Sequence, residues 1–140
     1  MTEPLFIEPV FQKDRGDCGI CCLVMLLGQP YLTVVRASPR TYLGKPYNPV
    51  FSGMTGRMMV DTAQKFGVRL RATRTFDLQE DSGILTVMKA RIKKPSETHA
   101  VLLVRGSIVD PVDGRFWPEV DVFLQAERYR TGTLLKRIEN

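Results

Sequence analysis

Between Asp17 and Gly28 the chain reads CGICCLVMLL, ten residues with no charge and no amide or hydroxyl side chain. Asp17 is a residue whose side chain can accept from the free amides of a first turn, and Gly28, with Pro30 behind it, is a stop. The stretch is therefore expected to be a helix. Apolar on every side, such a helix offers no face to water, so the rest of the chain has to enclose it. Its unbroken run, Ile20 to Leu27, is eight residues, well below the ~18 to 20 that span a bilayer. It reads as the centre of a core and not as a membrane anchor. The chain has 140 residues, enough for one such core and few for two, so residues 1–140 are taken as one domain.

The elements around that helix change type along the chain. A short helix is expected over Leu32 to Ala37, and LGKPYNPVFSG, rich in Pro, Gly and Asn, reads as a loop. Ser52 or Thr55 can cap a second helix in which Met59, Val60, Ala63 and Phe66 recur at helical spacing, with Gly67 as its end. Strand signals follow at Val68 to Thr73, Ile84 to Lys89, His99 to Val104 and Ile108 to Val109, and Arg105-Gly106-Ser107 is a tight hairpin connection between the last two. Asp113-Gly114 reads as another turn, PEVDVFLQAERY as a helix and GTLLKRI as a final strand. Helices first and a mostly antiparallel sheet later is an α+β order.

Apolar residues make up 44% and charged residues 25%, which excludes disordered, collagen-like and coiled-coil classes. The net charge of +5 comes partly from Arg69, Arg71 and Arg74 and from Lys89, Arg91, Lys93 and Lys94. In the first group arginines alternate with Val68, Leu70 and Ala72, the period of a strand with one wet face. A solvated basic face explains both groups; a surface for an acidic peptide is the next reading. Nucleic acid is not expected, since no zinc-finger, RRM or helix-turn-helix pattern accompanies the charge. The N-terminus, MTEPLFIEPVFQ, has acids and prolines where a secretory signal has a basic start and an apolar centre. Cytoplasmic location is the expectation, and an odd count of three closely spaced cysteines suits a reducing compartment.

Those cysteines admit three readings. CGIC has the spacing of a thiol redox pair, yet a thioredoxin-like domain needs an apolar strand leading into it and the preceding residues are QKDRGD. Cys18, Cys21, Cys22 and His99 make four zinc donors by count, but consecutive cysteines on a helix point about 100° apart, so Cys21 and Cys22 do not both reach one metal. In the third reading Cys18 is a nucleophile, because the first residue of a helix sits at the positive end of its dipole, which favours thiolate. Cys21 and Cys22 are then small hydrophobes in the core.

A nucleophilic cysteine needs a base, and His99 is the single histidine. It begins the strand HAVLLV, where a ring at the strand end can face a cleft. The hairpin returns along SIVDP and brings Asp110 near His99, able to hold one ring nitrogen and free the other. Gln12, six residues before Cys18, can join the Cys18 backbone N–H in stabilising an oxyanion. Gln, Cys, His and Asp then occur in the chain order of papain-like hydrolases.

With these residues in place the chain resembles the peptidase C39 family, papain-like cysteine peptidase domains that process bacteriocin precursors. The family motif is V-P-Q-x5-C-G-x-A-C-L-x-M, and this chain reads VFQKDRGDCGICCLVM. SGMTGRMMVDTAQKFGVRLRATR resembles the family's second helix and following strand, and HAVLLVRGSIVDPVDG its His-containing hairpin ending in Asp-Pro. The likeness spans residues 10 to 118. It implies a papain-like α+β fold, a nucleophile helix in an N-terminal helical part packed on a C-terminal antiparallel sheet, and a cysteine endopeptidase without metal or cofactor. Cys18 is implied as nucleophile, His99 as base and then acid, Asp110 as orienting carboxylate and Gln12 as oxyanion donor. The implied substrate is a peptide or protein, such as an acidic leader peptide cut after Gly-Gly in a narrow cleft. Cys21 departs from the family's Ala, the first helix ends about a turn early, and the His99 to Asp110 hairpin is short. Membrane helices and a Walker A sequence are absent, so a free-standing enzyme is expected, with no membrane insertion and any transporter or maturation protein a separate partner. Two alternatives remain: a binding module that grips a peptide without cutting it, and a papain-like deamidase, transpeptidase or isopeptidase.

Overall fold

The apolar decamer forms its helix. In the computed structural model, which describes residues 16–90 and 98–138, α1 spans Cys18–Leu27 and ends on Gly28 in the left-handed conformation, φ 64° and ψ 32°, its N–H returning to the Val24 carbonyl. Glycine takes that conformation without a Cβ clash. Ile20, Cys21, Cys22 and Leu23 have no exposed surface. Asp17, expected to cap the helix with its side chain, makes no such bond. Its backbone sits at φ −96° and ψ 18°, outside the extended region from which a capping side chain reaches the first turn. Instead its Oδ2 accepts from Tyr31 Oη at 2.6 Å, which ties the start of α1 to the start of α2 (Tyr31–Ala37).

The segment expected to be a plain loop holds three short elements. Strands β1 (Thr41–Tyr42) and β2 (Lys45–Pro46) pair antiparallel around Leu43 and Gly44, both at positive φ, a primed turn whose first residue is not one of the usual Asn, Asp or Gly. Next comes α3 (Pro49–Ser52), where Asn48 accepts from the Val50 N–H. Helix α4 (Gly56–Gln64) is capped by Thr55, whose Oγ1 accepts from Met58 N at 3.1 Å. It stops before Phe66, which the sequence pattern counts as helical, and Gly67 turns the chain at φ 79°.

Six strands form one sheet: β3 (Arg69–Thr73), β4 (Ser82–Lys89), β5 (His99–Val104), β6 (Ser107–Asp110), β7 (Arg115–Trp117) and β8 (Tyr129–Ile138). Their order is β3-β8-β4-β5-β6-β7, and every pairing is antiparallel. The expected α+β architecture is present. Strand β7 is additional to the expected set, β4 starts two residues earlier than expected, and β8 starts three residues earlier. Between β7 and β8 lies α5 (Val120–Glu127).

The sheet is covered on both faces, which explains why the residues after His99, AVLLV, are apolar throughout instead of alternating. On one face Ile84, Ala100, Leu102, Val109 and Leu135 pack with Ile20, Cys22 and Leu23 of α1, Val34 of α2 and Met59 and Ala63 of α4. On the other, Leu85, Val87, Val101, Leu103 and Leu134 pack with Trp117, Val120 and Phe123. Helix α1 thus lies against one face of the sheet with α2 and α4 packed beside it, the enclosed position its composition demands. No single helix among the described residues is long and apolar enough to cross a membrane.

Candidate active site

The hairpin between β5 and β6 sets the spacing of two side chains. Its two loop residues, Arg105 at φ 41° and Gly106 at φ 85°, form the primed turn that suits strand twist. The register pairs Leu102 with Val109 and Leu103 with Ile108. Continued toward the strand end, it sets Asp110 beside Val101, one diagonal step from His99 on the same face. His99 Nε2 and Asp110 Oδ1 lie 2.7 Å apart, with the two side chains 13% and 9% exposed. Asp110 Oδ1 also accepts from Val112 N at 3.0 Å, so the carboxylate is held from the backbone that follows it.

Cys18, the first residue of α1, reaches this pair. It shares a hydrogen bond with His99, and the N–H groups of Ala100 and Gly19 are directed at its sulfur. With Nε2 committed to Asp110, Nδ1 is the ring nitrogen left for the thiol. Burial alone would raise the Cys18 thiol, but the hydrogen bond and charge of His99 and the two amides outweigh it, and its pKa falls below the ordinary 9.0. Burial alone would lower His99, but the bonds to Asp110 and Cys18 raise it from 6.5 to about 9. Both shifts favour the same state, a thiolate beside an imidazolium.

The pair opens onto a cleft of about 350 Å³ whose walls include Gly19, Tyr47, Gly53, Gly56, Thr86 and Thr98. Tyr47 Oη donates to the Gly53 carbonyl, which fixes the loop facing Cys18. A Cβ on Gly19 would stand 3.2 Å from Met59 Sδ and 3.4 Å from Met54 Cβ, so a side chain there would crowd both methionines. Strand β4 bulges where its pairing with β8 slips between Leu85 and Val87. There Thr86 Oγ1 donates to the Thr133 carbonyl at 3.0 Å and accepts from Thr133 N at 2.8 Å, a side chain substituting for ladder bonds beside the site.

Cys18, His99 and Asp110 therefore come together. Gln12 lies outside the described residues, as do Arg91, Lys93 and Lys94 of the second basic group. Lys89 from that group is engaged: Nζ donates to the Glu127 carbonyl at 2.7 Å and sits 4.6 Å from the centre of the Tyr129 ring. Arg69 and Arg71 are exposed on β3, at one edge of the sheet, with Leu70 buried between them. Cys22 is in the core and burial pushes its thiol well up, unlike a zinc-bound thiolate. Among the described residues no group of three or more His, Cys, Asp and Glu side chains is arranged to hold a metal ion.

Tyr129 is a neighbour of the site that sequence reasoning missed. Its ring centre lies 6.4 Å from that of His99 and 5.5 Å from that of Phe123. Burial, with the charges of Asp110, Glu127 and Cys18, pushes its phenol up, so it stays neutral. No local signal marks it, because only the pairing of β8 with β4 brings it there. No protein-family model matches this chain, and no curated protein matches it.

Proposed function

We propose that this chain is a papain-like cysteine endopeptidase of the C39 type. The observation that carries the proposal is the Cys18–His99–Asp110 arrangement, in which a thiol at a helix start is hydrogen-bonded to a histidine oriented by a buried carboxylate. Cys18 thiolate attacks a backbone carbonyl, and the oxyanion is received by the Cys18 backbone N–H with Gln12. His99 Nδ1 protonates the leaving amine as the intermediate collapses to a thioester. The same nitrogen then takes a proton from water, whose attack on the thioester frees the acid and restores the thiolate. Asp110 holds the ring throughout. The glycine-walled cleft supports an extended substrate with small residues at the cut, such as a Gly-Gly leader peptide.

Incubation of such a peptide with the wild type and with Cys18→Ala, followed by mass spectrometry, tests the reading. A new carboxyl terminus after the glycines in the wild type alone is expected. An intact peptide with both proteins, together with Cys18 labelling by limiting iodoacetamide no faster than Cys21 or Cys22, would remove the basis for a peptidase.

A further inference from the structure

The proposed mechanism uses one thiol of three. None of them is in a disulfide, and the two that the mechanism does not use differ. Cys22 packs in the apolar cluster with Ile20, Leu23 and Leu102. Cys21 is equally enclosed but belongs to neither apolar cluster. Its N–H donates to the Asp17 carbonyl at 2.9 Å, closing the helical turn that contains Cys18.

That turn puts the two cysteines three residues apart at the start of one helix. A rise of about 1.5 Å per residue and ~3.6 residues per turn place Cα atoms three apart at about 5 Å, inside the roughly 4.4–6.8 Å that a disulfide spans. Their Cβ atoms, about 5–6 Å apart on a regular helix, must approach to roughly 3.5–4.5 Å. Tightening the first turn toward a 3₁₀ helix does this, since residues three apart then eclipse. Cys18 is the terminal residue of α1, so little else has to move, and Gly19 behind it has no Cβ. Cys22, four residues on, gains nothing from the same tightening.

We propose that Cys21 is the resolving thiol of Cys18: a hydroperoxide oxidises the nucleophile, and the two residues then close a disulfide that arrests the site reversibly. This rests on Cys18 being the reactive thiolate of the proposed function. Cys18 sulfur attacks one peroxide oxygen, the O–O bond breaks, and the leaving oxide takes a proton from the His99 imidazolium. The products are a sulfenic acid and water or an alcohol. Cys21 sulfur then attacks Cys18 sulfur, the S–O bond breaks, and hydroxide leaves with the Cys21 proton as water. Two thiols lose two electrons, and the hydroperoxide gains them. Without Cys21 the sulfenic acid stays open to further peroxide and passes to sulfinic acid, which thiols do not reverse.

The test is graded hydrogen peroxide on wild type, Cys21→Ala and Cys22→Ala, with tryptic mass mapping before and after dithiothreitol. One peptide, Gly16 to Arg36, carries all three cysteines, so variants assign the bond. Wild type and Cys22→Ala are expected to lose about 2 Da on that peptide, as two hydrogens leave, and dithiothreitol restores iodoacetamide labelling of Cys18. Cys21→Ala keeps its basal labelling rate but gains two oxygens on Cys18 and does not recover. If the wild type reaches sulfinic acid as fast as Cys21→Ala, or if the bond survives in Cys21→Ala and vanishes in Cys22→Ala, the resolving role is refuted while the peptidase stands. If Cys18 resists both peroxide and iodoacetamide in every protein, the peptidase reading falls with it.

Discussion

Replacing Asp110 by Asn tests whether charge, and not shape, holds the site in its reactive state. Asn keeps an Oδ1 that can accept from both His99 Nε2 and Val112 N, the bonds now made at 2.7 and 3.0 Å, so the hairpin should persist. What is lost is the negative charge beside the imidazolium. The rise of His99 from 6.5 to about 9 corresponds to roughly 3 kcal/mol at 1.36 kcal/mol per unit. Burial opposes that rise, and Asp110 and Cys18 share in producing it, with the Asp110 bond the larger of the two side-chain bonds. The carboxylate thus supplies on the order of 1.5 to 3 kcal/mol, a ten- to hundredfold change in the thiolate–imidazolium population. The signs follow from the two shifts. Cys18 must lose its proton, so activity rises with pH through a thiol pKa below 9.0. His99 must keep its proton, so activity falls as pH passes about 9. In Asp110→Asn the acid limb should move up and the alkaline limb down toward 6.5, and activity at pH 7.5 should drop by about ten- to hundredfold. The assay is the pH profile of peptide cleavage, with Cys18 alkylation read alongside and melting temperature as the control. A uniform drop with both limbs unmoved would refute the reasoning, since the carboxylate would then act by holding the ring and not by its charge.

Two further outcomes are expected. Tyr129→Ala should raise the alkaline limb by about half a unit to one unit, since burial is what lowers His99, while Tyr129→Phe leaves it in place. At 6.4 Å the ring is beyond the ~6 Å reach of a cation–π contact and acts by keeping water from His99; equal profiles in both variants would overturn this. Gly83→Ala should cost more than about 3 kcal/mol, or roughly 10 °C in melting temperature. Gly83 has φ 153°, and a Cβ there would lie 2.0 Å from the Leu135 carbonyl oxygen, so β4 and β8 would have to part; calorimetry checks it.

The meeting of His99 with Asp110 is legible in the sequence because it depends on short-range rules. The expected connection, Arg105-Gly106-Ser107, is one residue longer than the Arg105-Gly106 turn that forms, with Ser107 paired to Val104, but a tight turn of either length returns SIVDP toward His99. Cys18 joins them because a helix with no polar face has to lie on the sheet, and its first residue falls at the sheet's end. The rest depends on distant pairings or on backbone details. Nothing in GTLLKRI says that the last strand enters between β3 and β4, so neither Tyr129 nor the bulge at Thr86 can be placed from the sequence. The hairpin of β1 and β2 turns on Leu43, a residue rarely found at φ 53°. Asp17 misleads for a related reason. Its identity suits a cap, but a buried carboxylate takes the strongest donor its backbone geometry allows, and here that is Tyr31 Oη. The consequence is functional: the residue before the nucleophile anchors α1 to α2 and leaves the first-turn amides to Cys18, whose sulfur accepts from Gly19 N–H. A capping carboxylate there would compete for those amides and place a negative charge beside the thiolate, raising the pKa that the site needs low.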